Sequence, residues 1–347
     1  MISAIIILSF LIFFHELGHF LMARLVGVRV EVFSIGFGKK LVCKECKGTK
    51  WCISAIPLGG YVQMKGQDDT NPALKSTDPD SYSSKSPWQR ILILLGGPGF
   101  NFLLAFLIYL FVAFVGIEKL APVVGKVLPN TPAYGVFKKG DKILEINGVK
   151  IKTWDEIPKV IENKDILKIK VRRDNKILTL TVKPKIESIK NMFNEEVKRK
   201  IIGIMPSGEV IKVKYTGLKA IEFAYEKFLD ASMLILKGLK ALITGAVGLN
   251  TLSGPVGIVD VTAKVAHYGI VPLLMLTALL SVNLGILNLL PIPALDGGHI
   301  VFNLYEAMVK KELSEEVMIK LTIAGWVFLI GLMIIGFYND LQRILGG

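Results

Sequence analysis

Phe13-Phe14-His15-Glu16-Leu17-Gly18-His19-Phe20 decides how the rest of the chain is read. It has the form H-E-x-x-H. On a helix, His15 and His19 stand four residues apart on one face, so both imidazoles can hold one metal ion. Glu16 lies beside them, placed to act as general base on a water at that metal. The setting matters as much as the motif. Ile5-Ile6-Ile7-Leu8-Ser9-Phe10-Leu11-Ile12 precedes it, and Leu21, Met22, Ala23, Leu25 and Val26 follow. The metal pair therefore falls inside an apolar helix of membrane length, where ionisable groups are costly unless paired or metal-bound.

Composition agrees. Of 347 residues, 52% are hydrophobic, and the mean hydropathy is +0.51. This is too apolar for an ordinary soluble enzyme and points to a polytopic membrane protein. The net charge of +13 fits basic loops that set topology and meet anionic lipid. No nucleic-acid motif accompanies the charge, so no nucleic-acid partner is expected. The N-terminus lacks a basic n-region and a small-residue cleavage site, so it reads as a retained first span.

Taken in order, residues 1–28 form the first span. No Lys or Arg precedes it, whereas Arg24, Arg29, Lys39 and Lys40 follow. The N-terminus is thus expected outside and the next loop, 29–86, in the cytoplasm. Alternating apolar residues and glycines over Glu31–Gly38 and Trp51–Met64 predict short strands with tight turns. This sheet either dips towards the metal or is a cytoplasmic hairpin with no role there. Cys43 and Cys46 form a C-x-x-C, with Cys52 close by. They are half of a zinc knuckle, a redox pair, or thiols that merely lie near one another. Residues 66–86, with Asp68-Asp69, read as a mobile loop. The second span, 87–116, contains Gly96-Gly97-Pro98-Gly99-Phe100-Asn101-Phe102. Its small residues favour close packing, Pro98 a kink, and Asn101 an inward-facing polar group.

Residues 117–186 change to the composition of a soluble α+β domain. From 187 to 268 the chain reads as a polar linker and then an amphipathic helix over about 217–246, suited to a membrane surface. Leu252–Ile258 interrupts helix regularity. The last part, 269–347, holds two more spans, about 271–290 and 321–337. A catalytic zinc site wants three protein ligands. His267 is expected at the surface on the opposite side. Asp296 and His299, three residues apart, remain as candidates for the third ligand.

Taken together, His15-Glu16-Leu17-Gly18-His19, Pro57-Leu58-Gly59-Gly60-Tyr61-Val62, Gly96–Phe102 and Asn288-Leu289-Leu290-Pro291-Ile292-Pro293-Ala294-Leu295-Asp296-Gly297-Gly298-His299 resemble the site-2 protease family. The likeness is closest to its bacterial members with a PDZ domain, the regulator-of-sigma-E-protease type. Lys138-Lys139-Gly140-Asp141-Lys142-Ile143-Leu144-Glu145-Ile146-Asn147-Gly148 is similar to the core of such a PDZ domain. The resemblance implies a polytopic α-helical membrane protein with about four transmembrane helices, a membrane-dipping β-hairpin and an inserted extracytoplasmic PDZ-like α+β domain. It implies a zinc-dependent intramembrane endopeptidase with Glu16 as general base and His15, His19 and Asp296 as ligands to Zn2+. Asn283 and Asn288 would bind the substrate, and His299 would support the site from outside the ligand set. Partners would be transmembrane protein substrates, a peptide end or strand at the PDZ-like domain, and lipid. The expected location is the inner membrane, with both termini and the PDZ-like domain outside and the site towards the cytoplasm. Only one PDZ-like domain is evident where the subgroup's best-known members have two, and the C-x-x-C is not part of the family pattern. The rival readings are a non-catalytic PDZ-bearing membrane scaffold and a transporter using the buried charges as an ion relay.

Overall fold

The computed structural model describes residues 2–67, 76–162, 164–191 and 195–346. Residues 68–75 of the expected mobile loop, Asp68 and Asp69 among them, lie outside the described residues. The chain divides into two compact units. One comprises the chain up to Val112 with Leu218–Leu242 and Gly248 onward; the other comprises Ala113–Gly217 with Ile243–Val247.

The first unit is helical. Four helices among the described residues are long and apolar enough to cross a membrane: α1 (Ile2–Leu25), α2 (Pro87–Val115), α6 (Ile270–Asn288) and α8 (Glu315–Leu345). At about 1.5 Å per residue, even the shortest approaches the roughly 30 Å hydrocarbon core. Pro98 lies inside α2. Without an N–H it leaves the Leu94 carbonyl, one turn earlier, without its helical partner.

The expected amphipathic helix is α4 (Leu218–Ile243). It buries Ala220, Phe223, Ala224 and Ala231 and exposes Leu218, Ile221, Tyr225 and Leu229. Two further helices were not foreseen. The interruption at Leu252–Ile258 is where α5 (Pro255–Ala266) begins, with Pro255 in its first turn, where a missing N–H costs nothing. From α8, the buried Asp340 accepts a 2.7 Å hydrogen bond from the Gly257 N–H and so caps this helix from across the chain. After α6, Leu289–Leu295 turns back into α7 (Asp296–Val309). This reversal explains the paired glycines. A Cβ on Gly297 would lie 2.3 Å from the Leu290 carbonyl oxygen, and one on Gly298 would lie 2.3 Å from that of Ile292.

The loop after α1 forms two long strands, β1 (Val30–Cys46) and β2 (Thr49–Met64). Their register shows a sheet folded on itself. Val32–Ile35 pair with Gln63–Gly60 on one side and with Lys50–Ile53 on the other. Gly60–Met64 is therefore an edge whose outer side has no strand partner among the described residues. Cys43 faces Cys52 across the hairpin and is disulfide-bonded to it, while Cys46 is free and exposed. The C-x-x-C is thus not a pair, because Cys43 and Cys46 lie on one strand and the register delivers a different partner. Residues 76–86 are tied down. Ser81 is fully buried, and Lys65 bridges Asp78 and Asp80 at 2.9 and 2.7 Å. Hydrogen bonds from Lys65 hold both carboxyls below their usual range.

The second unit is built on a four-stranded sheet in the order β6 (Val149–Lys150), β5 (Lys142–Ile146), β7 (Leu167–Arg173), β8 (Lys176–Val182). Helix α3 (Glu156–Ile161) packs Ile157 and Ile161 into a core with Val124, Phe137, Ile143, Ile146, Leu167, Ile169 and Val171. The unit extends past residue 186. β9 (Lys185–Lys190) pairs with β10 (Glu196–Ile201), β11 (Ile204–Pro206) with β4 (Val124–Val127), and β12 (Val210–Val213) with β3 (Ile117–Leu120). Much of the stretch read as polar linker is thus sheet. Its Lys/Glu-rich strands are largely exposed and carry little apolar signal.

Asp141 is fully buried in this unit. Its carboxylate accepts from Arg173 Nε and Nη2, both at 2.7 Å, and from the Lys138 N–H at 2.8 Å. Arg173→Met should strand that charge and cost about 3 kcal/mol. Amide exchange in β5 and β7 should then quicken by about two orders of magnitude. Adding Asp141→Leu should recover most of the loss; unchanged exchange in Arg173→Met would show the pair to be dispensable.

Candidate metal centre and its cavity

The helical spacing of α1 delivers what the motif promised. His15 and His19 are buried, and their Nε2 atoms lie 3.1 Å apart. The reversal into α7 brings Asp296 to the same point. Its Oδ2 is 3.2 Å from His15 Nε2, and its Oδ1 is 3.5 Å from His19 Nε2. Among the described residues these three form the cluster able to hold a metal ion.

The residues fit zinc. Nitrogen and oxygen donors about 2.0–2.1 Å from a tetrahedral ion stand about 3.3 Å from one another, close to the three distances found. Asp296 Oδ2 is buried without a hydrogen-bond partner, an orphan that a cation would satisfy. His19 Nδ1 lies 2.9 Å from the Ile93 carbonyl oxygen, which can only accept. A proton on His19 Nδ1 therefore serves this contact, which leaves Nε2 as the nitrogen that faces a metal. At His15, Nδ1 lies 3.0 Å from the side-chain amide nitrogen of the buried Asn101.

Helix α2 forms the floor of the centre through two glycines. A Cβ on Gly97 would stand 2.4 Å from His19 Nε2 and 2.6 Å from His15 Cε1, and one on Gly96 would meet the Gly18 carbonyl oxygen at 2.5 Å. The close packing read from Gly96-Gly97 is thus contact of Gly97 with the His15 and His19 rings and of Gly96 with the Gly18 backbone.

His15, His19, Asp296 and Glu16 line a cavity of about 510 Å³. The edge segment Gly60–Met64 forms one wall, and Asn288, His299, Thr322 and Trp326 also line it. Gly60 sits against Glu16, since a Cβ there would be 3.4 Å from Glu16 Cγ. Of the expected substrate-binding asparagines, Asn288 reaches the cavity. Asn283 is on the same helix, half-buried, and is not among the lining residues. His299 lines the cavity but stands outside the ligand cluster, and His267 is exposed at the end of α5. The reading from sequence missed the contact of Asn101 with His15 and the contribution of α8. The first was detectable: Gly97 and Asn101 are four apart, so whatever lies over one lies over the other.

Residues 3–332 match the family described as Peptidase family M50. A candidate zinc metalloprotease of Campylobacter jejuni is 46% identical over 99% of this chain and 94% of its own length. A candidate zinc metalloprotease of Helicobacter pylori is 43% identical over 99% of both chains. The regulator of sigma-W protease RasP of Bacillus subtilis is 32% identical over 99% of this chain and 98% of its own. Among solved structures, the PDZ domain of an SdrC-like protein from Listeria innocua covers 26% of this chain and 96% of its own at 27% identity, with a TM-score of 0.21.

Proposed function

This chain belongs to peptidase family M50, the site-2 proteases, and from that premise we propose that it is a zinc-dependent intramembrane endopeptidase acting on the transmembrane segments of other proteins. The observation that carries the reading is the meeting of His15, His19 and Asp296 in one cavity with Glu16, the two histidines and Glu16 lying on a helix of membrane-spanning length.

In this reading His15, His19 and Asp296 hold the ion. A zinc ion there supplies a Lewis acid that polarises the scissile carbonyl and acidifies a water. Glu16 takes a proton from the attacking water and delivers it to the leaving amine, so that one C–N bond breaks and a carboxyl and an amine end result. The substrate must first unwind, because its amides are otherwise held in helical hydrogen bonds. The open edge Gly60–Met64 offers replacement partners by adding the substrate as a further strand. Asn288, with Asn283 behind it on α6, holds the unwound backbone.

The sheet unit acts as a PDZ-like filter that binds a peptide end or strand and admits substrates already trimmed outside the membrane. Support comes from the Lys138–Gly148 segment and its place between spans two and three. The run of basic residues after α1 supports a cytoplasmic hairpin and active site, with both termini and the PDZ-like unit outside. Anti-sigma factors and signal-peptide remnants are the substrate classes this arrangement suits.

The test is cleavage of a single-span substrate by the purified protein in detergent. A chelator should stop it, and one equivalent of zinc should restore it. Cleavage that persists with no zinc bound would sink the metalloprotease reading, and a zinc-free protein that moves ions would favour the transporter.

A further inference from the structure

Asn101 lies on α2 one turn beyond Gly97 and is fully buried. Its side-chain oxygen Oδ1 is buried and has no hydrogen-bond partner, while its amide nitrogen faces His15 Nδ1 at 3.0 Å. Its main chain is anchored from α6, where the buried Ser281 Oγ donates a 2.7 Å hydrogen bond to the Asn101 carbonyl. The position of the residue is therefore fixed, and the choice left to it is which end of its amide points at His15. The two ends have nearly the same shape and exchange by a half-turn about the last side-chain bond.

A histidine that ligates through Nε2 carries its proton on Nδ1, and that N–H needs an acceptor. For His19 the acceptor is the Ile93 carbonyl. For His15 the polar group in reach of Nδ1 is the Asn101 amide. We propose that Asn101 is the positioning residue of the metal centre: with Oδ1 turned to His15, it accepts the Nδ1–H and holds the tautomer whose Nε2 lone pair faces the ion. This rests on the metalloprotease reading above.

The opposite amide orientation serves the metal-free centre. There the Asn101 nitrogen donates to Nδ1, which leaves the His15 proton on Nε2. One uncharged side chain thus satisfies both states.

Two substitutions separate positioning from packing. Asn101→Leu keeps the shape and removes the acceptor. Asn101→Asp keeps the acceptor and removes the donor. Each full-length variant, purified in detergent with an unchanged elution profile, is dialysed against graded chelator and its residual zinc counted. The absorption of the cobalt-substituted protein is recorded alongside. Asn101→Leu should release zinc with affinity lowered about 10- to 100-fold and show an altered cobalt spectrum. Asn101→Asp should retain zinc and the wild-type spectrum. If the residue served packing alone the order would reverse, with the apolar leucine tolerated and the buried carboxylate damaging, and that result would overturn the proposal. Wild-type protein that takes up no zinc would instead remove the parent reading, and this inference with it.

Discussion

Glu16→Gln is expected to bind zinc at the wild-type stoichiometry and to cleave a single-span substrate about 100- to 10,000-fold more slowly. The amide preserves length, shape and one acceptor oxygen but cannot take up a proton at neutral pH. Zinc should stay because Glu16 is not one of the three converging donors. It lies in the same cavity, on the same helix and against the edge strand at Gly60. The paired readout makes the result informative. Loss of both zinc and cleavage would make Glu16 a structural element of the centre. Retention of both would mean that another group moves the proton and that the mechanism is wrong. A scaffold would show no cleavage to lose.

Gly97→Ala should do the reverse, removing cleavage by removing zinc. Its single added carbon would fall 2.4 Å from His19 Nε2 and 2.6 Å from the His15 ring, well inside van der Waals contact. Backing α2 away is not cheap. The helices touch backbone to backbone at this level, where a Cβ on Gly18 would stand 2.1 Å from the Gly96 carbonyl oxygen. Zinc affinity should fall at least about 100-fold, since ligand placement within a fraction of an ångström sets metal binding. Gly99→Ala is the matched control. It lies two residues along the same helix, and a Cβ there would meet nothing within 4 Å. That variant should bind zinc and cleave like wild type. Equal zinc binding by Gly97→Ala and wild type would show that α2 is not the floor of the site.

These outcomes also mark what the sequence could reveal. The His15–His19 pair was legible because helical spacing is local and their apolar surroundings left little choice of conformation. The four spans were legible for the same reason, and the helices found match them. Asp296 stood as one of two candidates on residue chemistry alone, and its choice over His299 came from family resemblance. Nothing local says which of two residues on one face a distant helix will meet.

The disulfide shows a different failure. Lys47 and Gly48 both have positive φ, 50° and 78°, as a tight two-residue hairpin turn requires. Cys46 opposite Thr49 then forces Cys43 opposite Cys52 by counting outward. The C-x-x-C spacing drew attention to the wrong pair because the turn was not placed first. β9 and β10 were missed because their interleaved charges resemble a solvated linker, and β11 and β12 because they are only three and four residues long. The partners of β11 and β12 lie 77 to 96 residues earlier in the chain, by subtraction of the paired positions.

The distance along the chain between the metal donors has a consequence for biosynthesis. His15 and His19 leave the ribosome first, and Asp296 follows 277 residues after His19, by subtraction of the two positions. At about 5–20 residues per second, the third donor arrives roughly 14–55 s later. Until then the nascent chain holds the two imidazoles and Glu16 without the carboxylate that meets them in the folded protein. In the proposed reading, a hydrolase whose substrates share its membrane is therefore assembled disarmed. Its competence waits on the helices between the two halves being inserted and brought together.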